Sequence, residues 1–505
     1  TANITVKSLT VSGITASNKT YDSTTSATLG TGAVSYGGLV SGDDFTGSYS
    51  GVFADANVGT GKTVNITSSY SGADVNNYSV TDQSTTTANI TAKALTATAS
   101  ASNKVYNGSS AATVTLSLSG FIGSETVTST NSSTFSDKNV ATGKTVTVNS
   151  ITLANGSNGG LAANYSISTG QTTTANITAK TLTATASASD KTYDGGTTAS
   201  TTLTFTGLVG SETLGQTVGS TFDNKNVGSN KTVTVNSITL GNGSNGGLAA
   251  NYSISAGQTT TADITPKALT VSGITASNRT YDGSTNATLT GTAVYSGLVS
   301  GDTFNGTYTG AFSDKNVGTG KTVNITSSYS GADVSNYSVT DQSTTTANIT
   351  AKSLTVSGIT ASSKTYDGST SATLTGTAVY SGLVSGDTFN GTYTGAFSDK
   401  NVGTGKTVNI TPSYSGADVN NYSVTDQSST TADISAKALT ATASASNKVY
   451  DGGTTASTTL TFTGLVGSET LGQTVGSTFD NKNVGSNKTV TVNSITLGNG
   501  SNGGL

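Results

Sequence analysis

The chain has 505 residues, more than one hydrophobic core usually organises, so several domains are expected. Only 33% of residues are hydrophobic and 6% aromatic against 62 glycines, which leaves each domain a thin core, while 10% charged residues and a net charge of −4 are too few to hold a disordered chain open. Cysteine, methionine, tryptophan and histidine are absent, which excludes disulfides, thiolate and imidazole metal sites and the commonest general base; no catalytic residue and no cofactor is expected.

The phrase Ile-Thr-x-Lys, with Ser435 in place of the threonine in its last copy, returns along the chain with its lysine at Lys7, Lys93, Lys180, Lys267, Lys352 and Lys437, at spacings of 86, 87, 87, 85 and 85 residues. That period suits a small domain rather than a solenoid coil. It divides the chain into 1–6, the end of a preceding repeat, then repeats 7–92, 93–179, 180–266, 267–351, 352–436 and 437–505. Repeats 1, 4 and 5 continue Leu-Thr-Val-Ser-Gly (type A); repeats 2, 3 and 6 continue Leu-Thr-Ala-Thr-Ala and later carry Asn-Gly-Ser-Asn-Gly-Gly (type B). Residues Tyr193 to Leu248 recur unchanged as Tyr450 to Leu505, the mark of block duplication. The final repeat breaks off, so the chain reads as an internal piece whose secretion signal and anchor lie elsewhere, and no apolar stretch is long enough to suggest membrane insertion.

In the repeat from Lys267 the elements follow in order. Apolar residues alternate at Leu269 and Val271, Ala287 and Leu289, Tyr308 and Phe312, Val323 and Ile325, and Tyr337 and Val339, the period of half-buried strands. Between them lie turn signals at Asp282-Gly283, Ser300-Gly301-Asp302, Gly318-Thr319-Gly320 and Ser330-Gly331. Six or seven strands and no long helix are expected, as a small β-sandwich or β-grasp-like domain. The last strand runs almost directly into the next repeat, so the joints should be short and stiff and the all-β tandem array an extended rod, on the order of 180 Å for six domains of about 30 Å.

All 23 basic residues fall in four recurring slots: the Ile-Thr-x-Lys lysine, the base before the Tyr-Asp-Gly turn, the Asp-Lys-Asn lysine, which is Ala56 in the first repeat, and the Gly-Lys lysine. Glu125, Glu212 and Glu469 share one slot of the B repeats. Charges so distributed read as solvated faces and turn residues, and the acidic balance with one arginine argues against nucleic acid.

The triplet Tyr-Asp-Gly begins at Tyr193, Tyr281, Tyr366 and Tyr450, with departures at Tyr21-Asp22-Ser23 and Tyr106-Asn107-Gly108. As a ligand contact, the tyrosines would stack on a sugar and Asp194, Asp282, Asp367 and Asp451 would bind its hydroxyls. As structure, the tyrosine ends a strand on the core and Asp-Gly makes a turn; Asn107 favours this, since Asn-Gly turns equally well but offers no carboxylate. Gly-Thr-Gly-Lys-Thr at Gly318 imitates a phosphate loop, but its first glycine would fall at Lys315, and a hairpin loop between Val317 and Val323 fits better. Asp314-Lys315-Asn316 could offer oxygens to calcium, with the lysine opposing it. A Lys and an Asn or Asp flank each boundary, as a Lys–Asn isopeptide bond would need. Alternate threonines, as from Lys231, could form a flat binding face or a plain strand exterior.

The recurring Asn-Lys-x-Tyr-Asp-Gly, Gly-Leu-Val-x-Gly-Asp, Asp-Lys-Asn-Val-Gly-Thr-Gly-Lys and Asn-Tyr-Ser phrases resemble the YDG-type repeats of filamentous-haemagglutinin-like bacterial adhesins over essentially the whole chain. The resemblance implies a protein of the Gram-negative cell surface, exported by a two-partner system, whose repeats form a stalk without catalytic residues. Expected partners are host or matrix glycans and proteins or neighbouring adhesin chains, and a multivalent glycan-binding array is the alternative.

Overall fold

The computed structural model describes residues 1–503; Gly504 and Leu505, the last positions of the 437–505 repeat, lie outside the described residues. The described residues hold strands and three-residue 3-10 turns and no α-helix. Two units are distinguished, one of Thr1–Thr192 with Gly196–Thr265, the other of Tyr193–Gly195 with the chain from Pro266 onward.

In the first unit, repeat 1 builds two mixed sheets. A three-stranded sheet has the order Ser35–Gly37, Lys7–Ser12, Tyr78–Thr81, and a five-stranded sheet the order Lys19–Thr20, Thr85–Thr91, Gly59–Ser71, Thr46–Phe53, Ser26–Ala27. The first strand, Lys7–Ser12, pairs parallel with the return strand Tyr78–Thr81. Lys19–Thr20 pairs parallel with the last strand, Thr85–Thr91. Leu9 and Val11 of the first sheet pack with Ile66, Phe45 and Tyr78. Repeats 2 and 3 keep this plan with a longer hairpin, Leu214–Phe222 against Gly228–Asn242 in repeat 3. Where the A repeats use tyrosines between the sheets, repeat 3 uses the Gln216 amide, which accepts from the Leu203 N–H and donates to the Leu203 carbonyl, both at 2.8 Å.

In the second unit, repeats 4 and 5 reproduce repeat 1. Repeat 6 has two antiparallel pairs, Thr440–Ala445 with Thr458–Thr463 and Leu471–Phe479 with Val490–Asn499. The apolar alternation of repeat 4 lands as the period requires: Val323 and Ile325 are buried in Gly318–Ser330 while their threonine and asparagine neighbours face out. The strand segments are more numerous than expected, because two-residue pieces such as Thr275–Ala276 and Asn286–Ala287 pair separately.

Gly318-Thr319-Gly320 is not a hairpin loop. It lies inside the strand Gly318–Ser330, at a bulge where the pairing with Thr344–Thr350 slips between Gly318 and Lys321. Gly320 has φ 60°, and its N–H donates to Asn348 Oδ1 at 2.7 Å. A left-handed residue inside a strand favours glycine, which is why the phrase imitated a loop. The reversal itself falls at Ser313–Val317, where Asp314 Oδ1 accepts the Asn316 N–H at 2.8 Å.

The repeats are also less separate than a bead-like reading suggests. Tyr281, Phe312, Val323, Ala347 and Ile349 of repeat 4 share one buried cluster with Leu354, Phe389 and Tyr422 of repeat 5. Tyr21, Phe53 and Val64 of repeat 1 join Leu95, Val127 and Tyr165 of repeat 2, and Tyr106 and Phe135 of repeat 2 join Leu182 and Tyr252 of repeat 3. A chain this poor in apolar residues fills its cores by sharing them across joints.

Candidate functional site at the repeat joints

The Tyr-Asp-Gly triplet divides its work. The aspartate closes a local loop: Asp282 Oδ1 accepts the Ser284 N–H at 2.8 Å, and Arg279 sits 3.0 Å from the carboxylate with its guanidinium 5.1 Å from the centre of the Phe312 ring. Asp22, Asp367 and Asp451 are held in the same way by Lys19, Lys364 and Lys448, each at 2.7 Å, and Asp194 also has a partner. The Lys364 ammonium and the Ser369 N–H hold the Asp367 carboxyl down at about 2.

The tyrosine reaches into the following repeat. In the joint of repeats 4 and 5, the Tyr281 hydroxyl donates to Asp387 at 2.8 Å, and Tyr422, from repeat 5 itself, donates to the same carboxylate at 2.5 Å. The two rings meet edge to face with centroids 5.6 Å apart. Lys315 Nζ lies 3.0 Å from Asp387 and 2.9 Å from Asp418. The Val317 N–H donates to the buried Asn421 Oδ1 at 2.9 Å, and the Val384 N–H to the Tyr422 hydroxyl at 2.8 Å. A 3-10 turn, Val419–Asn421, places Asn421 and Tyr422 side by side.

The joint of repeats 2 and 3 repeats this with glutamate. Tyr106 and Tyr252 each donate to Glu212 at 2.6 Å, Lys138 lies 3.4 Å away, and Val140 N–H donates to Asn251 Oδ1 at 2.8 Å. Burial alone would raise the Glu212 carboxyl, but the two hydroxyls and the Lys138 ammonium outweigh it and the net shift is downward. Burial first, and then the neighbouring carboxylate, pushes Tyr106 and Tyr252 up to about 12. Between repeats 1 and 2 the same tyrosine pair, Tyr21 and Tyr165, holds Glu125 at 2.8 and 2.7 Å, but Ala56 stands where the lysine would be. Within the second unit Tyr193 and Tyr337 close on Asp302 at 2.8 and 2.6 Å, and Tyr366 donates to Glu469 with Lys400 at 3.3 Å.

The glycine of the triplet is fixed twice over. Gly283 has φ 81°, and a Cβ there would stand 2.8 Å from Val384 Cγ1 of the next repeat. At this joint glycine meets both demands, the positive φ and the close approach of Val384.

Of the sequence-predicted contacts, Tyr193 and Tyr281 are 1% exposed, with ring and hydroxyl both engaged; Tyr366 is half-buried, and Tyr450 in the sixth repeat is exposed. Asp194, Asp282, Asp367 and Asp451 are exposed, at the opposite end of their triplets' work. The residues missed in the sequence are the acidic slot (Glu125, Glu212, Asp302, Asp387, Glu469) and the Asn-Tyr pair. The reading of all charges as solvated faces is corrected here: Glu212 is 7% exposed and Lys144 and Lys231 are 9% exposed. A slot that is Asp in type A and Glu in type B, acidic throughout, was the available signal, since a charge this deep must be paired.

The oxygens of Asp314 are taken by Lys321 Nζ at 2.7 Å. Asp418, Asp387 and the Tyr281 hydroxyl hold the Lys315 ammonium above its ordinary value.

No curated protein matches the chain. Among solved structures, "Structure of surface layer protein SbsC, domains 4-9" matches at 12% identity and a TM-score of 0.15, over 89% of this chain and 84% of that one. The YDG domain matches residues 5–88, 91–175, 178–262, 265–346, 350–432 and 435–504. The chain therefore belongs to the YDG-domain family, as six tandem copies.

Proposed function

We propose that the six YDG domains are a non-enzymatic structural stalk of a secreted bacterial surface adhesin, extended end to end and holding an adhesive part away from the cell. The observation that carries this reading is the joint. In repeats 1 to 4 the most elaborate polar cluster, two tyrosines closing on one carboxylate, is used to hold the next repeat. Its tyrosines are taken up there, and the triplet's aspartates are committed to the local loop, so the groups that would serve a glycan are committed elsewhere. Short joints with shared cores favour a fixed angle between neighbours, which is what a spacer needs.

Small-angle scattering tests it. A stalk of six domains should show a maximum dimension on the order of 180 Å, whereas a compact globule of this length would have a radius of gyration of about 23 Å. The globule would end the stalk reading. Glycan-array binding measured alongside, on chains of differing copy number, should show no rise with the number of repeats; a steep rise would favour multivalent recognition instead.

A further inference from the structure

We propose that each complete repeat is a shear clamp, so that the array carries tension along its own chain. The inference deepens the stalk reading and rests on it for its biological sense, though not for its physics.

The two ends of a repeat are tied by parallel strands. In repeat 4 the first strand pairs with the return strand from Lys267↔Tyr337 to Thr270↔Thr340, and the Arg279–Thr280 segment pairs with the last strand at Ile349 and Thr350. Around the second patch the Tyr281 N–H donates to the Thr350 carbonyl at 2.8 Å, Thr350 Oγ1 to the Arg279 carbonyl at 3.2 Å, and the Asn348 N–H to Asn278 Oδ1 at 2.7 Å. Gln342, between the return and last strands, grips Ile274 on both sides, accepting from its N–H at 3.0 Å and donating to its carbonyl at 2.6 Å. Repeats 1, 2, 3 and 5 make both parallel pairings.

Direction decides what such pairs do under force. One residue, Ala351, separates the last strand of repeat 4 from the first strand of repeat 5, so a pull from the following repeat is delivered at the end of a strand. The last strand is drawn toward its C-terminus while the first strand is drawn toward its N-terminus. Parallel partners drawn in these opposite senses slide along each other, and the hydrogen bonds of a patch must break together. An antiparallel hairpin pulled apart at its open end yields one pair at a time. Buried residues of the two patches, Leu269 at 0% exposure and Ile349 at 1%, must also leave the core before the strands can slide.

Pulling on single full-length chains tests this, because forced unfolding reads the barrier to unfolding directly. Held by its two ends, the chain should show five high-force events, one for each repeat with both parallel patches. Each event should release on the order of 280 Å of extended chain less the folded length. Repeat 6, whose described strands form antiparallel pairs only, should open at lower force. The chain has no cysteine, so Asn305→Cys with Ser330→Cys gives unique handles at the open end of the repeat 4 hairpin, where these two exposed residues are paired. Pulled between those handles, repeat 4 should yield at a severalfold lower force. Equal forces in the two directions, or no high-force events along the chain, would overturn the clamp. A scattering envelope that stayed long in that case would leave the stalk reading standing, and a compact envelope with high forces would remove the stalk and keep the clamp.

Discussion

The carboxylates Glu212 and Asp387 set an acid limit of stability at their joints, and the tyrosines closing on them set an alkaline one. Glu212 and Asp387 are lowered in the folded chain from 4.5 and 3.8, so the stability they contribute is present above those values and lost as pH falls through the folded ones. Tyr106, Tyr252 and Tyr422 are pushed up from 10.0 to about 12, so their contribution is complete below pH 10 and lost as pH rises toward 12. Thermal unfolding against pH should therefore show a plateau from about 4.5 to about 10 with a fall on each side. Tyr106→Phe should cost about 1.5–3 kcal/mol of joint stability, the value of a hydrogen bond to a charged group, read from faster hydrogen exchange at the Val140 and Val209 amides. Ser23 holds φ 65° where the other five repeats have glycine, and Ser23→Gly should stabilise repeat 1 by about 1 kcal/mol in hydrogen exchange, while Gly283→Ala should destabilise repeat 4. The turn at Tyr-Asp-Gly was legible in the sequence because Asn107 could replace the aspartate. The destination of the tyrosine was not, since its partner lies 103 to 109 residues away.

At the scale of elements, period two was enough to place the strands, and it could say nothing of pairing. Parallel and antiparallel partners leave the same alternation, so the parallel ties at the two ends of each repeat had no sequence signature. Gly318-Thr319-Gly320 misled for a related reason: a bulge and a turn both select glycine at positive φ. The joint is an element in its own right, and repeat 1 offers a natural deletion within it. Ala56 leaves Glu125 with two tyrosine hydroxyls and no ammonium, whereas Lys138 and Lys315 serve the equivalent carboxylates. Ala56→Lys should slow exchange of the Val58 and Ile122 amides, which bond across and beside that joint. No change there would mean that the lysine is a spectator at every joint.

For the whole molecule, six near-identical repeats with every base in a recurring slot were plain from the sequence, and they pointed correctly to an all-β tandem array of YDG domains. What the sequence could not show is that the cores run through the joints, because each shared cluster draws on residues from two repeats that look complete by themselves. Such an array should behave as a chain of nearest neighbours, each repeat stabilised by the next. The direct measurement is hydrogen exchange on the full chain carrying Val323→Ala, a cavity at a residue of 0% exposure in repeat 4. If the joint is the unit of stability, protection should fall in the Leu354 and Tyr422 segments of repeat 5 as well as in repeat 4, with repeat 1 unchanged. Loss of protection confined to repeat 4 would contradict the account and return the chain to six independent domains.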